Sequence, residues 1–161
     1  GRERVARDLD LHVREVEHLI SRHGSRIQEL ARMMRERPEL REPIPGAEPY
    51  LMVEALYATS HEGALHLDDV LTRRTRISIE TFDRGIEAAP HVAELMAEVL
   101  GWDEETKARE ITHYEARVAA ERDSQAQPDD HTADAARLGA PDVRRGGVGA
   151  ADVVDLDARR S

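Results

Sequence analysis

Apolar side chains open the chain at Val5, Leu9, Val13, Val16, Leu19 and Ile20, the three- and four-residue spacing of one helix face. Gly24 follows where a left-handed C-terminal residue belongs, so the pattern predicts one opening helix that ends there. Ser25 and Gln28 match the S-x-x-Q capping box and predict a second helix, carrying Ile27, Leu30, Ala31 and Met34, that fails near Pro38. Four prolines between Pro38 and Pro49 predict a loop. A third helix is expected from about Tyr50 to Glu62, with Leu51, Ala55 and Leu56 inward, and Gly63 breaks it.

The next segment, LHLDDVLTRRTRI, reads as a short helix. At 100° per residue Leu67, Val70, Leu71 and Arg74 share one face, and Asp69, Arg73 and Arg76 take the opposite one. ISIETF alternates like a strand, but one strand has no partner in a helical chain, so Ile77 to Ala89 reads as continuing helix or turn. Pro90 suits the first turn of a helix carrying Val92, Leu95, Met96, Val99 and Leu100, which Gly101 ends. Asp103 is placed to cap a last helix, with Glu104 and Glu105 favourable in its first turn and a stripe at Ile111, Tyr114 and Val118. From about Ser124 the pattern collapses into Ala, Gly, Asp and Arg with few large apolar residues, a composition that cannot offset ordering entropy. No repeat is visible. The expectation is all-α: a bundle of five to six helices over residues 1–124 and a disordered C-terminal tail over 125–161.

Composition narrows what such a bundle does. Its 161 residues suffice for one domain with a modest core, aliphatic because only 3% are aromatic. A net charge of −10 speaks against nucleic acid, whose phosphates select clustered positive charge. The absence of cysteine excludes disulfides, thiolate metal sites and a cysteine nucleophile, and fits a reducing compartment. No apolar run has membrane-spanning length and no signal peptide opens the chain; it begins Gly1-Arg2-Glu3, as if taken from something longer.

Candidate chemistry concentrates between Ser60 and Arg84. His61, Glu62, His66, Asp68 and Asp69 suggest a metal, but histidines five residues apart sit about 140° apart on a helix, not on one face. Acid–base work by His61 or Glu62 lacks any accompanying nucleophile elbow, glycine-rich phosphate loop or oxyanion hole, so capping and packing roles are favoured. Arg74 stands out because its wheel position points it inward, and a buried guanidinium cannot lose its charge. Two readings stand side by side. Arg74 pairs with Glu62 or Asp68 inside the domain, or it reaches a partner surface or ligand phosphate. Arg73 is expected to pair with Asp69 in solvent, at i,i+4 spacing.

The run HEGALHLDDVLTRRTRISIETFDRG, and within it E-x-x-x-x-x-D-D-x-L-x-R-R-T-R, resembles the C-terminal cap domain of FAD-dependent glycerol-3-phosphate dehydrogenase in its actinobacterial form. LHVREVEHLISRHGS, EPIPGAEPYLMVEALYA and the stretch from Ala88 to Asp130 agree with it. The resemblance implies a parent enzyme that oxidises sn-glycerol 3-phosphate to dihydroxyacetone phosphate. Hydride passes to FAD and electrons to membrane quinone, in a cytoplasmic protein peripheral on the inner face of the plasma membrane. It implies that the flavin- and substrate-binding part lies outside this chain, which alone binds no flavin tightly and turns over nothing. No catalytic, cofactor-binding or metal residue is carried over. Glu62, Asp68, Asp69, Arg73, Arg74 and Arg76 are the interface or structural ion-pair candidates. A cap of this kind is also expected to expose an apolar docking face. The alternative from another class is a free-standing helical interaction module that binds a protein through the Arg74 face.

Overall fold

The computed structural model describes residues 1–126, and the opening helix is in fact two. Helix α1 (Arg2–Leu9) stops at Asp10, whose φ of 55° and ψ of 47° place it in the left-handed region. Aspartate tolerates that conformation better than most residues. The guanidinium of Arg41 donates to the freed carbonyl of Leu9 at 2.8 Å. Helix α2 (Val13–His23) then restarts, with the Glu15 carboxylate accepting the His12 N–H at 2.9 Å. Apolar spacing runs through the break because both helices turn the same stripe inward, which is why periodicity does not reveal it. Gly24 ends α2 with a positive φ as expected. The Ser25–Gln28 capping box does not form: Gly24–Arg26 is a 3₁₀ turn leading directly into α3 (Ile27–Glu36).

The proline-rich segment is ordered rather than a plain loop. Pro38–Arg41 makes a 3₁₀ turn, and β1 (Pro43–Ile44) pairs antiparallel with β2 (Ala47–Leu51). Gly46, with φ of 86°, allows the hairpin to sit against the Glu87 side chain; a Cβ there would lie 2.7 Å from that of Glu87. Helix α4 (Met52–His61) follows. A π-helix covers Asp69–Arg74, α5 spans Ile77–Glu80, and turns continue to α6 (Ala89–Leu100). Pro90 lies in the first turn of α6 and Gly101 closes it at φ 70°, both as the sequence predicts. Asp103 accepts the Thr106 N–H at 2.8 Å and caps α7 (Glu104–Ala126). Among the described residues the fold is all-α with one small hairpin, and has seven α-helices where five to six were expected. Helix α7 carries order to Ala126; beyond it, the expected tail lies outside the described residues.

Helix α4 is the central element: it packs on α3, α6, β2 and the π-helix, and seven of its ten residues are buried. One core gathers Leu19, Leu30, Met34, Tyr50, Leu56, Leu67, Leu71, Ile77, Val92 and Met96. The broad docking face expected of a cap is not present among the described residues. The helical stripes meet one another, leaving only Val13, Leu65, Ile79, Phe82 and Val99 as exposed large apolar side chains.

Candidate functional site

The motif from Glu62 to Arg76 folds around a departure from α-geometry. In a π-helix the backbone bonds run from i to i+5, so each residue advances less than 100° around the axis. Thr75 shows this, its N–H and Oγ1 both reaching the Val70 carbonyl, at 3.0 and 2.7 Å. Over the six residues from Asp69 to Arg74 the shortfall rotates Arg74 off the buried side. The Arg74 side chain is exposed, and no hydrogen bond or ion pair reaches it among the described residues, which corrects the inward placement. Its anticipated partner Glu62 bonds instead to Arg26 at 2.9 Å, tying the end of α4 to the 3₁₀ turn before α3.

The buried pairing belongs to Arg73. Its guanidinium donates at 2.6 Å to Asp68, five residues back, and only weakly to Asp69 at 3.5 Å. Asp68 is 5% exposed and also receives Thr72 Oγ1, with Arg117 of α7 at 3.6 Å. Asp69 acts locally. Its Oδ2 accepts the N–H groups of Leu65 and His66 at 3.0 and 3.1 Å, closing the turn that precedes the π-helix. Arg76 stays in solvent beside Glu80 at 3.5 Å, while its backbone N–H donates to the Tyr50 hydroxyl.

The two histidines go separate ways. His61 stacks on Tyr57 with ring centroids 4.8 Å apart. His66 Nδ1 meets Glu110 of α7 at 2.6 Å, and the other Glu110 oxygen accepts the Leu67 N–H at 3.2 Å. Among the described residues no three such side chains gather as a metal site would require. Tyr114 on the same helix donates to the Arg84 carbonyl at 2.6 Å; burial, then the nearby Asp68 charge, pushes its hydroxyl above the ordinary tyrosine range.

A second charged centre, not read from the sequence, lies at the start of α4. Glu54, 2% exposed, accepts from Arg22 at 2.6 and 2.9 Å, from the Leu51 N–H at 2.8 Å, and contacts His23 Nε2 at 2.9 Å. Burial by itself would raise its carboxyl, but the bonds from His23 and Arg22 outweigh it and hold it below the usual range. Arg22 also lies over the Tyr50 ring at 4.3 Å and donates to the Pro49 carbonyl. The only available signal was Glu54 at the N3 position of a helix. Its cationic partners are more than thirty residues away, beyond the reach of local periodicity.

The class these features define is an all-α domain whose buried charges serve to fasten its own helices together. Within that class the chain belongs to the family described as the C-terminal domain of alpha-glycerophosphate oxidase, whose model matches residues 1–107. It is 49% identical over 142 residues to a glycerol-3-phosphate dehydrogenase of Mycobacterium leprae, covering 88% of this chain and 24% of that protein. Over 134 residues it is 52% identical to glycerol-3-phosphate dehydrogenase 2 of Mycobacterium bovis, covering 83% of this chain and 23% of that one. The human mitochondrial glycerol-3-phosphate dehydrogenase is 31% identical over 123 residues, or 70% and 17% of the two chains. This chain thus spans about a quarter of the mycobacterial relatives it matches. No solved structure matches it.

Proposed function

We propose that this chain is the helical C-terminal cap of an FAD-dependent glycerol-3-phosphate dehydrogenase and acts as an accessory to a flavin- and substrate-binding part outside it. The observation that carries this reading is near-50% identity across more than four fifths of the chain to a quarter-length portion of enzymes bearing that name. In the parent reaction, sn-glycerol 3-phosphate is oxidised to dihydroxyacetone phosphate, hydride is taken up by FAD, and electrons leave to quinone. The enzyme is cytoplasmic and peripheral on the inner face of the plasma membrane. No helix among the described residues is long and apolar enough to cross a membrane, which is compatible with that placement.

On this reading the flavin seat lies in that outside part. A dinucleotide site needs the carboxyl ends of parallel strands and a glycine-rich turn into a helix, whereas the sheet among the described residues is a two-stranded antiparallel hairpin. The role of this chain, on this reading, is structural support of a catalytic part that lies outside it.

The reading is tested by comparing two purified polypeptides for dye reduction driven by glycerol 3-phosphate: this chain, and the translation product that continues upstream of Gly1. The longer one reduces the dye and this chain does not. Equal inactivity of a well-folded longer product would favour the free-standing interaction module, and activity of this chain alone would refute the accessory role.

A further inference from the structure

We propose that the turn following α5 is the contact by which this domain docks on the upstream, flavin- and substrate-binding part of the same polypeptide, with Phe82 as its anchor. This rests on the reading above and adds the surface that mediates it. Phe82 is the chain's one phenylalanine, and it is fully exposed; Ile79, three residues earlier, is 66% exposed. Burying a side chain of this size removes a large apolar surface from water, a gain the isolated fold leaves unused.

Exposure alone would mean little, because scattered apolar residues are ordinary on protein surfaces. The stronger observation is how firmly the segment is held. Asp83 Oδ1 accepts the Gly85 N–H at 3.0 Å and Oδ2 accepts the Glu87 N–H at 2.8 Å. Thr81 Oγ1 donates to the Ile77 carbonyl at 2.7 Å. The Tyr114 hydroxyl fixes the Arg84 carbonyl, and the Arg84 guanidinium reaches Glu121 at 2.8 Å. Arg84 itself sits at φ 58°, a left-handed conformation that costs a non-glycine residue energy and persists where the surroundings impose it. Gly85 follows at φ 83°, where a Cβ would press within 3.1 Å of Ile77. The backbone is braced on both sides of Phe82, whose side chain projects into solvent. A backbone already fixed around the residue it presents lowers the ordering cost of binding.

The surroundings fit a seam between domains. Phe82 borders a groove of about 440 Å³ whose other wall is the hairpin from Gly46 to Tyr50. Exposed Arg76, beside Glu80 and Tyr50 of that groove, supplies a residue type enriched at contacts between protein surfaces. The occupant follows from length: this chain spans 23–24% of the mycobacterial dehydrogenases it matches, so most of such an enzyme lies outside it. Interfaces between domains of one chain typically cover about 600–1,500 Å².

The test uses the longer polypeptide with a photo-activated benzophenone amino acid at position 82, and a control with the same probe at Val13. Irradiation is expected to join residue 82 to peptides upstream of Gly1, within one molecule, while the Val13 probe does not join them. An active, flavin-bound enzyme whose residue 82 joins only a second copy, or nothing, overturns the docking surface and leaves the functional reading intact. A folded longer product with neither flavin nor activity removes both.

Discussion

Glu54 at the start of α4 and the arginines of the π-helix are both dense charge clusters, yet they stand in opposite relations to the core. Glu54 is sealed inside, bonded to Arg22, His23 and the Leu51 N–H. Arg74 and Arg76 are exposed, and of the π-helix arginines only Arg73 reaches a buried carboxylate. The difference teaches that the identity of a charged residue does not decide its burial. A carboxylate enters the core when groups from distant elements converge on it; an arginine leaves the core when a wider helical turn rotates it away.

The contrast can be broken at either end, and the largest effect is expected at Glu54. Glu54→Ala strands His23 and Arg22 and frees the Leu51 N–H, so a loss of about 3 kcal/mol is expected in urea unfolding. Glu110→Ala leaves a buried N–H and the His66 ring without their acceptor, costing about 2 kcal/mol by the same measurement. Arg73→Ala uncovers Asp68, which retains Arg117 nearby, so roughly 1 kcal/mol is expected. Arg74→Ala and Phe82→Ser should each stay within about 0.5 kcal/mol in this chain. Equal losses for the Arg73 and Arg74 variants would place the π-helix in the wrong phase.

Acid sharpens the same comparison. The carboxyl of Glu54 is lowered in the folded protein from its ordinary value of 4.5, so its contribution is present above that value and fades as pH falls through the lower folded one. Stability measured from about pH 6 down to about pH 3 should therefore drop more steeply for the native protein than for Glu54→Gln. Parallel curves would mean that Glu54 does not titrate as its bonds require.

Much of the helical frame was legible because its signals are local. Pro90, Gly101 and Asp103 mark ends whose chemistry is complete within a few residues, and the stripes of α3, α4 and α6 face the core as spacing dictates. The break at Asp10 was not, because the apolar phase survives it. The hairpin over residues 43–51 was hidden by prolines, which suggested a loop while serving a short, irregular pair of strands. The arginine motif was found by its composition and misassigned by its geometry, since nothing in the sequence announces a π-helix. Glu54 and Glu110 escaped notice because the side chains they bind lie 31 to 44 residues away in the chain.

The assignment to a glycerol-3-phosphate dehydrogenase is tested most directly by the absorption spectrum of the polypeptide that joins the upstream part to this domain. Bound flavin should be present and should bleach anaerobically when glycerol 3-phosphate is added. A folded product that binds flavin but shows no change with that substrate, or that binds none, would contradict it.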